Sequence, residues 1–219
     1  MIEVKKMNVV TIDFDIIMAP SIESYNELIG DYCNYNNLEE RNPLMKFCSA
    51  DLHTYNILTG YIVSAISYLD KNNVKFIYNH DDVVSILQEK GIKHANLINI
   101  DHHHDLGYPP AEEDNKDNMP LNCGTWAYIC KKLSLVDEFT WIRNINSRLP
   151  CDLVKDSLDK EYIIQQEIKL VPYLNYLKEN TDVLIICASF DWIPSMWRDL
   201  FFTWKTICDT NYNTIFEVK

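Results

Sequence analysis

The sequence predicts an α/β protein with three αβα layers, in which helices cover both faces of a mostly parallel sheet. Three observations carry that expectation. Short apolar, β-branched runs (VVTIDFDII, VKFIY, NLINI, VLIICA) recur along the chain. Between them lie stretches with helical periodicity, so the strands connect as βαβ units whose sheets are buried on both sides. The 219 residues contain no repeat, low-complexity segment or linker, so residues 1–219 read as one domain around one core.

The elements follow in order. Val9 to Ile17 reads as a first strand ended by Pro20, and Ser21 heads a helix through Tyr25 and Leu28. From Asp51 to Leu69, apolar side chains at 52, 55, 58, 62, 66 and 69 keep a helical period. Val74 to Tyr78 is a second strand, Asp81 to Gln88 a helix, and Asn96 to Ile100 a third strand. Residues 106–121, with three prolines in an acidic, Asn-rich run, read as a long loop. Thr125 to Leu133 then reads as a helix and Phe139 to Ile142 as a strand. Residues 155–180 are mostly helix-compatible, with a β-rich Tyr162–Ile164 inside them. Val183 to Ala188 is a fully apolar strand, Ile193 to Trp204 a helix, and Thr214 to Val218 a last strand.

Composition narrows the function. With 32 acidic against 20 basic residues the net charge is −12, which argues against a protein that tracks nucleic-acid phosphates. The same charge suits metal cations or a cationic substrate. No apolar run reaches membrane-spanning length, and MIEVKK leads into a strand without a signal-like apolar stretch, so a cytoplasmic location is expected and no membrane partner. The seven cysteines are scattered without a CxxC pair and read as reduced thiols. Only five glycines stand against 21 asparagines, so Asn is expected at many positive-φ positions.

Ligands of open α/β sheets bind beyond the carboxyl ends of the strands. Metal-ligand residue types recur there: Asp13 and Asp15 in strand one, His80 with Asp81 and Asp82 after strand two, Asp101-His102-His103-His104-Asp105 after strand three, and Asp191 after VLIICA. If the third strand continues, its two-residue period turns Asp101, His103 and Asp105 to one side and His102 and His104 to the other. Carboxylate–imidazole–carboxylate is a mixed O/N set that suits Mn²⁺ or Zn²⁺. The plainer readings are a surface turn rich in His and Asp, a helix-capping His80 and an N-cap Asp191. Five consecutive ionisable residues closing a buried strand fit a plain turn poorly. The tryptophans at 126, 197 and 204 read as core, and Cys123 has no adjacent base.

Asp101-x-His103-x-Asp105, followed later by Ser189-Phe190-Asp191, resembles the arginase/deacetylase superfamily on its ureohydrolase side. IDFDIIMAPSIESYN, INIDHHHD and LNCGTW resemble more closely an arginase-related branch that includes peptide arginases of ribosomal-peptide biosynthesis. The resemblance spans residues 9–192 as separated motifs. It implies an arginase-like fold and a manganese hydrolase, with two Mn²⁺, that converts arginine in a peptide to ornithine and urea. His80, Asp101, Asp105 and Asp191 would hold one ion, and Asp101, His103 and Asp191 the other. A metal-activated water would attack the guanidinium carbon. Asp13 and Asp15 would be carboxylates turned to the substrate or supporting the ligands, and Glu217 the late glutamate that contacts guanidinium. A phosphoryl-transfer reading of Asp13-x-Asp15 leaves the histidines unexplained.

Three departures from the family pattern bear on this. Ile193 replaces the second carboxylate of S-F-D-x-D, so the second ion is weak, absent, or served by Asp13 or Asp15. Asn122-Cys123-Gly124 stands where arginases carry a general-acid histidine, leaving His102 or His104 as proton donors. A chain of 219 residues is also short for a free-arginine enzyme, which suits an arginine-containing peptide as substrate. Two alternatives follow: a deacetylase or other amidohydrolase with one Zn²⁺ on Asp101, His103 and Asp191, and an arginase-like binding protein without activity.

Overall fold

The computed structural model describes residues 6–20, 48–107, 119–144, 160–163, 167–190 and 193–217. Its strands are β1 (Asn8–Asp13), β2 (Met18–Pro20), β3 (Cys48–Ala50), β4 (Val74–Ile77), β5 (Ala95–Asp101), β6 (Val136–Arg143), β7 (Lys160–Ile163) and β8 (Val183–Cys187). Its helices are α1 (Leu52–Ile66), α2 (Asp82–Glu89), α3 (Trp126–Lys132), α4 (Glu167–Asn180) and α5 (Arg198–Glu217). Six strands form one sheet in the order β4-β8-β1-β5-β6-β7, and every neighbouring pair is parallel. β2 and β3 make a separate antiparallel ribbon.

The strands are buried on both faces, as βαβ connections require. All six residues of β1 and all five of β8 are buried. Side-chain alternation divides them between two cores. Val10, Ile12, Ile98, Ile100, Leu184 and Ile186 pack under α1, α4 and α5. Val9, Leu97, Val183, Ile185 and Cys187 pack under α2 and α3. Helices on both sides of a parallel sheet make the three-layer α/β architecture expected.

Local chemistry sets several boundaries. Asp51 caps α1 by accepting from the backbone N–H groups of His53 and Thr54, at 3.0 and 3.1 Å. The first strand stops four residues earlier than its apolar run suggested. Asp13 Oδ1 accepts from the Asp15 N–H at 3.2 Å, and Phe14–Ile17 turns into a short 3-10 helix. Phe14 fixes that turn by packing edge-on against Trp204, Phe201 and Tyr55, with ring centroids 5.1, 5.6 and 6.5 Å away.

Three other expectations are corrected. The last strand does not form, because α5 continues through Glu217. Phe201, Trp204, Cys208 and Tyr212 lie on one helical stripe buried against the core, and that packing overrides the β-propensity of the last residues. Within 155–180, the β-rich stretch is an edge strand, β7, and the helix follows it. Among the described residues the non-glycine positive-φ positions are His94, Asp105, Ser134 and Ser189, with no Asn among them. The helix expected from Ser21 and most of the expected 106–121 loop lie outside the described residues. Among the described residues, no helix is long and apolar enough to cross a membrane.

Candidate metal centre

Sheet register brings the site together. Ile12 lies opposite Ile100, and Asp13 and Ile77 lie on either side of Cys187. The carboxyl ends of β5, β1, β8 and β4 are therefore level. Alternation turns Asp13 to the α2/α3 face with Val9 and Thr11, Asp101 with Leu97 and Asn99, and Cys187 with Val183 and Ile185. His80 follows β4 and precedes α2 on that same face.

The histidines collect the carboxylates into two groups. His80 Nδ1 lies 3.0 Å from Asp13 Oδ2 and 3.2 Å from both Asp101 Oδ2 and Asp105 Oδ2. His103 Nδ1 lies 2.9 Å from Asp15 Oδ2 and 3.9 Å from Asp101 Oδ1. Asp101 thus turns one oxygen to each imidazole. His80–Asp101–Asp105 and Asp15–Asp101–His103 are each close enough to hold one metal ion, and Asp13–His80–Cys187 is a third such group.

Each carboxylate is held in place by the fold. Asn99 Nδ2 donates to Asp101 Oδ2 at 3.0 Å, and Thr11 Oγ1 donates to Asn99 Oδ1 at 2.6 Å. Trp126 Nε1 donates to Asp105 Oδ2 at 2.6 Å, and Ser189 Oγ donates to Asp13 Oδ2 at 2.5 Å. The His102 N–H reaches Asp15 Oδ1 at 3.3 Å. Asp105 and Ser189 have φ of 52° and 43°, in the left-handed region that residues other than glycine seldom enter.

The convergence arises differently from the strand alternation expected for residues 101–105. β5 ends at Asp101, whose Oδ1 accepts from the His103 N–H at 2.7 Å and bends the chain away from the sheet. The positive φ of Asp105 then returns its carboxylate to His80. Asp15 likewise reaches the site from the 3-10 turn rather than from a strand.

Burial and charge set the proton positions. Burial, followed by repulsion from Asp13 and Asp101, holds Asp15 well above the usual carboxylate range. Burial and Asp101 push Asp105 up to about 7. Asp101 goes the other way: burial raises it, but contact with His80 and the charge of His103 outweigh that and hold it low. His103 is raised to about 10, burial being outweighed chiefly by Asp15. For His80 burial lowers the imidazolium, while Cys187, Asp101, Asp105 and Asp13 raise it by more. Burial, then Asp13, holds the Cys187 thiol well above its ordinary value, so the carboxylates supply the pull on His80 at neutral pH.

Asp13, Asp15, Asp101 and Asp105 are all buried, and among the described residues their ion pairs go only to His80 and His103. Were all four carboxylates ionised and both rings protonated, two negative charges would remain uncompensated in a low-dielectric site. Burial instead holds Asp15 and Asp105 toward the protonated form until a cation binds. Asp15 Oδ2 and both His80 ring nitrogens are buried without a hydrogen bond. Oxygen and nitrogen donors that converge with excess negative charge fit divalent cations.

The remaining expected residues fall as follows. His104 is buried, its Nδ1 accepts from the Leu106 N–H at 3.0 Å, and its ring meets Trp141 edge-on. Burial pushes both His104 and His102 down to about 3, so both are neutral near pH 7. Asp191 lies outside the described residues. Glu217 is the last residue of α5 instead of a strand position. Trp126, Trp197 and Trp204 are core residues as expected, and Trp126 also serves Asp105. Sequence reasoning missed Cys187 and the contact of Ser189 with Asp13. The alternation of VLIICA put Cys187 on a definite face, but only the register with β1 shows which residue it meets. Compared with protein-family models, curated proteins and solved structures, the chain matches none.

Proposed function

We propose that this chain is a divalent-metal-dependent hydrolase with a two-ion centre, acting on the guanidinium group of arginine within a peptide. The observation that carries the two-ion part of the reading is the pair of three-ligand groups joined through Asp101. The hydrolase activity and the arginine substrate rest on the resemblance of Asp101-x-His103-x-Asp105 and Ser189-Phe190-Asp191 to the ureohydrolases. His80, Asp105 and Asp13 would hold one ion, Asp15 and His103 the other, and Asp101 both. Four carboxylates balance two divalent cations once both imidazoles bind as neutral ligands. The oxygen-rich donor set suits Mn²⁺. When bound, such ions supply Lewis-acid polarisation and a water acidic enough to react at neutral pH.

The chain's own groups provide the rest. Asn99, Trp126 and Ser189 fix the orientations of Asp101, Asp105 and Asp13, so the ligands need little rearrangement on loading. The acidic surface favours approach of a cationic side chain. In the reaction, water oxygen adds to the guanidinium carbon, the bond from that carbon to Nε breaks, the oxygen becomes the urea carbonyl, and the two water protons end on Nε as the ornithine ammonium. Ornithine remains in the peptide and urea leaves.

The test is to incubate Mn²⁺-loaded protein with arginine-containing peptides and follow mass and urea. The reading predicts a loss of about 42 Da per arginine, abolished by Asp101→Ala. A loaded protein that leaves every arginine peptide intact, but deacetylates acetyl-lysine, would move the substrate to an amide.

A further inference from the structure

We infer that Cys187 is a thiolate ligand to the ion held by His80 and Asp13, so that this half of the centre selects a thiophilic cation such as Zn²⁺, Co²⁺ or Fe²⁺ over Mn²⁺. The inference rests on the two-ion reading and deepens it, because it makes the two halves chemically unequal. Cys187 closes β8 directly between Asp13 on one neighbouring strand and Ile77 on the other, with His80 three residues beyond Ile77. Its Sγ, a His80 nitrogen and an Asp13 oxygen all lie within 4.8 Å of one another.

The surroundings point to a ligand position. His80 is 2% exposed; its Nδ1 meets three carboxylate oxygens at 3.0–3.2 Å, and its buried Nε2 makes no hydrogen bond. The thiol donates to the Tyr78 carbonyl at 3.7 Å and meets Ser189 Oγ at 3.5 Å, both ordinary sulfur hydrogen-bond lengths. Ser189 in turn donates to Asp13, so the sulfur borders the same carboxylate as the imidazole. The other buried cysteines of the described residues, Cys130 and Cys208, lie in α3 and α5 and join no such group. A buried cysteine is ordinarily a small apolar side chain, and those two fit that description.

Sulfur changes the metal preference. Thiolate favours Zn²⁺ and related borderline ions, whereas carboxylate and imidazole alone also suit Mn²⁺. The half built from Asp15, Asp101 and His103 offers no sulfur. On binding, the ion replaces the thiol proton, which is released to solvent. A mixed pair follows, with the softer ion beside Cys187 and the harder one beside His103.

The test is a titration of the metal-free full chain with Co²⁺ alone, read by absorption. Wild-type protein should show a sulfur-to-cobalt charge-transfer band in the near ultraviolet together with visible ligand-field bands. Cys187→Ser should lose the first and keep the second, and Cys130→Ser should keep both. Mn²⁺ should displace Co²⁺ from Cys187→Ser at a lower Mn²⁺ to Co²⁺ ratio than from the corresponding half of the wild type. Two bound Co²⁺ without a charge-transfer band in the wild type would overturn the thiolate while sparing the two-ion centre. So would a band that survives in Cys187→Ser. No bound Co²⁺ or Mn²⁺ at all would overturn both. If the serine variant fails to fold, Cys187→Ala and Cys123→Ser replace it: the band should be lost in the first and kept in the second, and a band lost only with Cys123 would overturn the assignment.

Discussion

The two faces of the sheet use the same strands and end differently. Under α1, α4 and α5, the carboxyl ends of β1, β5 and β8 carry Ile12, Ile100, Ile186 and Ala188, and the core is apolar to the rim. Under α2 and α3 the same level carries Asp13, Asp101 and Cys187, with Thr11 and Asn99 two residues below them. Both sets are buried. On the first face burial removes apolar surface from water and stabilises the fold. On the second it strips water from carboxylates, which costs stability unless cations replace it. Both faces pack an apolar core against the sheet, but only the second ends in a cluster of groups that could hold a metal ion.

The largest expected effect comes from the residue that faces both imidazoles. Asp101→Asn should leave at most one ion bound, on the Cys187 side, measured by calorimetric titration with Mn²⁺. Retention of both ions would remove the basis for a joined centre. On the opposite face, Ile186→Ala should cost about 2–5 kcal/mol in chemical denaturation, with metal binding per folded chain unchanged. A comparable loss of metal affinity there would blur the division between the faces. Next in size is Asn99, which donates to Asp101 and belongs to none of the candidate ligand groups. Asn99→Leu should weaken metal binding by roughly 10–100-fold while the sheet stays folded.

The smallest effect is in pH dependence. His103, raised to about 10, and His80, also raised, bind more protons folded than unfolded above the ordinary imidazole range. Their contribution is therefore full below about pH 6.5 and is lost as pH rises through the folded values. Asp15 and Asp105 are raised as well, so they too lower stability with rising pH, Asp105 up to about 7. Below about 6.5, His102 and His104, depressed to about 3, act in the opposite sense and offset the carboxylates. The melting temperature of the metal-free protein should thus fall from about pH 7 to 9. With saturating Mn²⁺ it should hold or rise, because ligands deprotonate on binding. A metal-free protein that gains stability over that range would contradict the buried-charge account.

Much of this was legible in the sequence for a simple reason. Apolar runs mark buried strands, and strand ends in α/β proteins carry sites, so His80, Asp101, His103 and Asp105 stood out. Their meeting depends on features the pattern hides. Asp13 caps its own turn and so ends β1 early, which puts Asp15 beside His103 by a route that strand alternation does not describe. Asp105 returns through a left-handed residue, a conformation no local propensity announces. Cys187 looked like one more apolar residue of VLIICA until its register with Asp13 was known. Glu217 was misplaced because a β-prone ending was read locally, while the stripe from Phe201 to Tyr212 had already committed the chain to a helix.

The most direct measurement is elemental analysis of the protein purified without chelators from a culture supplemented with Mn²⁺ and Zn²⁺, beside Asp101→Asn. The account predicts two divalent ions per wild-type chain and at most one, on the Cys187 side, in the variant. Wild-type protein that folds with its four buried carboxylates and carries no metal would contradict it.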